Sequence, residues 1–315
     1  MATYDPMIDP AAARQAHRMQ ALFPLMRVLF VNSPQLRFAT KKIAKPTRIT
    51  IPTRHGDIGA LVYSPTARDI EAQLAAGHRP PVHLITHGGG FILRTPKQED
   101  NVAQYLASEV GCFVVIPDYD AAPQVRFPVE EEESYDAFRW IHAHGGEFGW
   151  DQDRITVGGA SAGGKLALNV ALMAIDDGHY VPLAVSSEYG ASDMSIPDEQ
   201  RTSTKKNPIV GRGLMTLIRK TYFLGADLTD PLASPALHPR LAELPPTLIE
   251  TAELDTLKHE SNALAAEPVR RGVDVTHREF AGVDHAFTHA KPVEVAREAI
   301  TMIGDHLRKA FASAL

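Results

Sequence analysis

The stretch "ITVGGASAGGKL", residues 155–166, can be read in two ways. From Gly159 it spells G-x-x-x-x-G-K, nearly a phosphate-cradling loop. From the same residue it also spells G-x-S-x-G, a sharp turn that would present Ser161 as a nucleophile. The first reading fails on chemistry. Leu166 follows Lys165, where a P-loop needs Ser or Thr to ligate Mg²⁺, and the spacing is not the G-x-G-x-x-G of a dinucleotide site. The second reading requires a strand before Ser161, a helix after it and small residues around the turn. "RITVGG" (154–159) reads as a strand and "SAGGKLALNVALMAI" (161–175) as a helix. Gly159, Ala160, Ala162, Gly163 and Gly164 supply the small surroundings.

The flanking sequence places this turn in an alternating pattern. "TRITIP" (47–52) and "IGALVYSP" (58–65) read as a hairpin, and "VHLITH" (82–87) as a strand. "QEDNVAQYLASEVG" (98–111) reads as a helix, "CFVVIPDY" (112–119) as a buried strand, and "VEEEESYDAFRWIHAHG" (129–145) as a helix with a solvated, glutamate-rich start. After "LAVSSEYG" (183–190) comes a less regular segment, about 191–236, holding the helix-like "GLMTLIRKTYFLG" (213–225). Strands 247–253 and 274–280 and helices 258–272 and 293–311 complete the series. Such alternation predicts an α/β fold with a mostly parallel sheet covered by helices on both faces. The early apolar segment 11–30, broken by Pro24, reads as two short helices or a kinked one. Periodicity alone leaves open whether it lids a site or packs on the domain surface.

Composition excludes several classes of function. The 315 residues carry a net charge of −6 and have no basic stripe, which argues against nucleic acid. The single cysteine, Cys112, rules out an internal disulfide framework. No apolar run reaches the length of a membrane span, and the N-terminal residues lack the apolar core of a signal peptide, so a cytoplasmic location is expected. No cofactor motif is present. His142 and His144 have no third ligand at metal spacing and read as a solvated helix end.

A serine nucleophile needs a base, an acid and donors for a developing oxyanion. His285 lies in "AGVDHAF", a loop between the last strand and the last helix, with His289 as runner-up. Asp255 lies just past the strand 247–253, whereas Asp284 reads as solvated or turn-forming. "HGGGF" (87–91) follows a strand, and its glycines let the main chain approach a ligand closely. The N–H groups of Gly88 and Gly89, with that of Ala162 at the start of the helix, are the candidate oxyanion donors. His87 is expected to brace the loop.

Taken in order, "HGGGF", "GASAGG", "ELDTL" and "VDHAF" resemble the bacterial hormone-sensitive-lipase-like esterases of the α/β-hydrolase fold. "PDYDAAPQVRFP" (117–128) and "TDPLASPAL" with "LPPTL" support the likeness, which runs from about Thr47 to the C-terminus. The resemblance implies a triad of Ser161, Asp255 and His285 and an oxyanion hole of Gly88, Gly89 and Ala162. It further implies a helical cap from residues 1–46 and about 191–235, a catalytic domain over 47–315, and no metal or organic cofactor. The substrate would be a short- to medium-chain acyl ester, and homodimers are common in the family. A lactonase or amide hydrolase would use the same groups; the other alternative, a non-catalytic small-molecule receptor on the same fold, would be expected to lack part of the triad. A cap would enclose an apolar acyl pocket, for which Phe23, Met26, Phe30, Phe38, Met215, Ile218 and Phe223 are candidates. The chain departs from the family pattern at Asp120, Gln124, Ala160, Lys165 and Ala286. At Ala160 the family usually has Asp or Thr; Lys165 has no assigned role.

Overall fold

The computed structural model describes residues 3–26, 33–270 and 272–315. Eight strands form one sheet: β1 (Thr47–Thr53), β2 (Gly56–Tyr63), β3 (Val82–Thr86), β4 (Phe113–Asp118), β5 (Ile155–Ala160), β6 (Val185–Glu188), β7 (Thr247–Ala252) and β8 (Val275–Phe280). Their spatial order is β1-β2-β4-β3-β5-β6-β7-β8, and only β2 runs against the others. The central strands β3 and β5 are buried along their whole length, which is why their sequences read as continuous rather than alternating apolar runs.

Among the described residues the helices are α1 (Pro10–Met26), α2 (Ala67–Ala75), α3 (Asp100–Tyr105), α4 (Val129–His144), α5 (Ala162–Asp177), α6 (Arg212–Lys220), α7 (Lys258–Arg270) and α8 (Val293–Ser313). The largest apolar cluster draws on α4, α5 and α7, including Phe138, Leu168 and Leu264; a second draws on α3 and α8, including Val102 and Leu307. The sheet is therefore covered on both faces.

Several local expectations are corrected. Pro24 sits in the last turn of α1, where it forfeits only the bond to the Gln20 carbonyl, and Pro10–Met26 is one helix. The stretch 98–111 is not one regular helix. It begins as a single tight turn, Pro96–Glu99, continues as α3, widens into a π turn at Leu106–Val110 and stops at Gly111, whose φ is +77°. Glu130, Glu131 and Glu133 are buried rather than solvated. Glu131 pairs with Lys165 (2.6 Å), whose ammonium also donates to Asn169 Oδ1 and the Leu232 carbonyl, both at 2.8 Å. Lys165 thus fastens α5, the helix that follows Ser161, to α4. Removing one member of such a buried pair costs ~3–5 kcal/mol because the other charge is left uncompensated.

Candidate active site

Because β3, β5, β7 and β8 are parallel, the loops at their carboxyl ends open on one edge of the sheet, where ligands bind in open α/β sheets. Four segments meet there: the glycine loop after β3, the turn after β5, the Asp255 loop after β7 and the His285 loop after β8.

The turn after β5 is sharp. Ser161 sits at φ 60°, ψ −121°, a conformation that a non-glycine residue adopts only when its surroundings impose it. The imposition is visible. Ser161 N–H donates to the Glu188 carbonyl of β6 (2.9 Å), and α5 starts at the next residue, pressed against the end of β3. A Cβ on Gly159 or Gly163 would lie 2.2 Å or 1.9 Å from the Thr86 carbonyl oxygen. The glycines of the motif are thus required by the packing of strand and helix.

Ser161 Oγ is 2.7 Å from His285 Nε2, and His285 Nδ1 is 2.7 Å from Asp255 Oδ2. Asp255 Oδ1 also accepts the Leu257 N–H (3.0 Å), which fixes the carboxylate plane. Both the acid and the base are buried. The Tyr189 ring meets the His285 ring edge-on at 4.9 Å. Asp284 is neither solvated nor part of this chain. It is buried, bonds Lys205 Nζ (2.9 Å) and the Ile209 N–H (3.0 Å), and so ties the segment after β6 to the His285 loop.

The glycine loop requires a second correction. The Gly88 N–H is already engaged, donating to Glu99 Oε1 at 3.2 Å, and Gly88 does not face the cavity above Ser161. Gly89 and Gly90 do, together with Ala162. Gly89 has φ +146° and Gly90 φ +60°, and a Cβ on Gly89 would lie 2.6 Å from the Leu93 carbonyl oxygen. Ala162 is the first residue of α5, so its N–H has no partner within the helix and stands at the positive end of the helix dipole. His87 stacks on Tyr119 at 4.1 Å and donates from Nδ1 to the Gly88 carbonyl (2.7 Å), while the Tyr119 hydroxyl donates to the His87 carbonyl. It braces the loop from behind.

Above these groups lies a cavity of about 460 Å³, within the range of small-molecule sites. Phe23 of α1 and Met215 and Ile218 of α6 line it, as do Met19, Met194 and Leu214. Two other candidates fall elsewhere. Phe38 is buried on the far face of the sheet, its ring under the Arg297 guanidinium at 4.5 Å. Phe223 packs edge-on behind Phe91 at 5.1 Å, so Phe91, which the sequence reading missed, forms the wall. Phe30 lies outside the described residues, as does the side chain of Met26. His289 also borders the cavity, 3.1 Å from Glu99. No group of His, Cys, Asp and Glu among the described residues is arranged to hold a metal.

Ala160 now has a context. Its methyl group borders a small internal void of about 10 Å³, shared with Glu99, Ser186, Glu188 and Thr288. Burial pushes the Glu188 carboxyl up to about 8, and nearby Glu99 adds to the shift. Polar groups on β6 and on the turn that leads into α3 thus surround Ala160.

A serine, histidine and aspartate in bonding sequence at the carboxyl edge of a mostly parallel sheet define a hydrolase. The family model described as alpha/beta hydrolase fold matches residues 83–289, and the chain belongs to that family. It is 30% identical over 234 residues to an arylesterase of Saccharolobus solfataricus, covering 71% of this chain and 73% of that protein. It is likewise 30% identical over 230 residues to an ethyl acetate hydrolase of Pseudomonas putida, covering 72% of each. The solved esterase of Pyrobaculum calidifontis superposes with a TM-score of 0.81 at 31% identity, over 96% of this chain and 98% of that one. No helix among the described residues is long and apolar enough to cross a membrane.

Proposed function

We propose that this enzyme hydrolyses short- to medium-chain acyl esters through an acyl-enzyme on Ser161. The observation that carries the reading is the relay Asp255–His285–Ser161, with both links at 2.7 Å, beneath an apolar cavity. His285 Nε2 takes the hydroxyl proton as Ser161 Oγ attacks the ester carbonyl. Asp255 holds the ring with Nδ1 protonated and stabilises the imidazolium. The carbonyl oxygen, now negative, is met by the N–H groups of Gly89, Gly90 and Ala162. His285 then protonates the departing alkoxide, and water attacks the acyl-enzyme by the same route.

The leaving alcohol exits from the face that His285 serves, and the acyl chain lies along the apolar walls. In this reading α1 and the segment 191–235 act as a cap, because Phe23, Met215 and Ile218 stand over the nucleophile from those two segments. A cytoplasmic setting and a homodimer rest on the sequence reading and the resemblance, and are carried as part of the proposal.

Ser161→Ala is the decisive variant. Turnover of p-nitrophenyl esters is expected to fall ~10⁶-fold, since a triad acts as a unit. Turnover at the parental rate would end the proposal. A panel from acetate to laurate, followed by lactones and amides, should peak among the shorter esters; a preference for laurate, a lactone or an amide would replace that part of the reading.

A further inference from the structure

Beside the cavity lies a second buried carboxylate–histidine pair that the proposed reaction does not use; His289 borders the cavity and Glu99 stands behind it. Glu99 and His289 have side chains only 2% and 3% exposed, and Glu99 Oε2 stands 3.1 Å from His289 Nε2. Glu99 Oε1 accepts two further groups, the Gly88 N–H and the Gln98 side-chain amide, each at 3.2 Å. The pair spans two functional loops. Glu99 closes the turn that follows the glycine loop, and His289 lies four residues beyond His285 in the short turn Phe287–His289. A further stitch runs beside it, from Asn101 Nδ2 to the Thr288 carbonyl at 2.9 Å.

We infer that Glu99 and His289 are positioning residues that set the glycine loop in its oxyanion-binding posture, an inference that rests on the acyl-transfer reading above. The first amide of the loop is taken by a carboxylate on the side away from the cavity. Consecutive peptide planes are coupled through φ and ψ, so anchoring Gly88 fixes where the next two amides point. Those amides belong to Gly89 and Gly90, the two residues of the loop that line the cavity. A carboxylate holds an N–H more strongly than a neutral acceptor does, the more so when buried. Burial by itself would push the Glu99 carboxyl up. The adjacent His289 and the Gly88 N–H outweigh it and hold the group below its ordinary value, so the anchor is ionised. Both ring nitrogens of His289 are buried, and Nε2 meets Glu99 Oε2 as a close polar contact without the alignment of a hydrogen bond. The part of His289 is to compensate the carboxylate and to bind the oxyanion loop to the loop that carries the base.

The test is Glu99→Gln, which keeps the shape and an acceptor oxygen but removes the charge. We expect kcat to fall ~10–30-fold, short of the 10²–10³ that follows outright loss of an oxyanion donor, with KM changed by less than about twofold. An aryl trifluoromethyl ketone forms a tetrahedral adduct on the nucleophile with a negative oxygen, and its inhibition constant should rise by the same factor as kcat falls. A merely structural role would lower the melting temperature and leave both untouched. Parental kcat and ketone affinity in Glu99→Gln would therefore overturn the inference, whatever happens to stability. Should that variant not fold, His289→Gln carries the same test, because it leaves the Gly88 acceptor in place and removes only its partner. Ser161→Ala is assayed alongside. If it stays active, the acyl-enzyme reading has failed; if it is dead while Glu99→Gln or His289→Gln is fully active, only the positioning inference has failed.

Discussion

At Gly163 the backbone is ordinary helix, yet a Cβ there would lie 1.9 Å from the carbonyl oxygen of Thr86. At Gly90 a Cβ would have room, its nearest neighbour being Ile218 Cδ1 at 3.5 Å, yet the backbone stands at φ +60°. The two glycine-rich stretches of the active site thus need the same residue for opposite reasons. Around Ser161, glycine lets the helix press against the strand and force the serine into its turn. In the loop after β3, glycine lets the backbone take up φ values that bring Gly89 and Gly90 to the wall of the cavity. One stretch uses missing volume, the other conformational freedom. Gly89, at φ +146° and 2.6 Å from the Leu93 carbonyl oxygen, belongs to both categories.

The difference can be broken experimentally from either side. Gly163→Ala should have the larger effect, because neither colliding partner is a flexible side chain. Helix α5 must move off β3, at a cost of ~3 kcal/mol or more for overpacking of this kind, and the strained Ser161 turn relaxes with it. Denaturant unfolding and ester turnover should both suffer. A stable, fully active Gly163→Ala would show that the contact between α5 and β3 is not what holds the nucleophile. Gly89→Ala should act chiefly on rate. Its backbone cannot keep its present conformation, and on the proposed mechanism the oxyanion donors are displaced, so kcat is expected to fall ~10²–10³-fold. Stability should fall far less than in Gly163→Ala. Equal stability losses in the two variants would erase the distinction.

The same distinction marks what could be read from sequence. The alternation of strands and helices was legible because buried parallel strands are written as short apolar runs between amphipathic stretches, as in "CFVVIPDY". Ser161, Asp255 and His285, which the structure brings into one hydrogen-bonded line, could be picked out because each belongs to a loop after a strand, a position that the alternation itself defines. The identity of the amides facing the cavity was not legible. Three consecutive glycines carry no mark of which N–H is free, and the answer depends on Glu99, eleven positions after Gly88, whose burial no local pattern announces. Buried charge was misread elsewhere for the same reason. Glu130, Glu131 and Glu133 look like a solvated helix start, and Lys165 looks idle, until α4 and α5 are packed together and Glu131 meets the ammonium. The aromatic candidates divided likewise. Phe23 lines the cavity while Phe38 and Phe223 are ordinary core, because apolarity specifies burial without specifying against what. Helix α2 went unread because none of its residues is buried, leaving only the Thr66 cap on Asp69 to announce it.

The smallest expected effect comes from a third turn, where the chain does without glycine. Ala286, directly after His285, adopts φ 61°, ψ 28°, a left-handed conformation that favours glycine. An alanine in that region is strained by ~1–2 kcal/mol. Glycine would relieve this strain but would also enlarge the conformational freedom of the unfolded chain, which costs ~0.4–1 kcal/mol. The two terms nearly cancel, so Ala286→Gly should raise stability by no more than about 1 kcal/mol, seen as a small upward shift of the unfolding midpoint. Turnover should stay within about twofold, since the His285 ring is held by Asp255, by Tyr189 and by its own backbone N–H bond to Asp284 Oδ1 at 2.7 Å. A marked loss of turnover on gaining glycine would mean that the stiffness of alanine at this turn is itself needed to aim the base. The His285 loop would then join the loop of residues 88–90 as a place where backbone conformation, rather than packing, sets the rate.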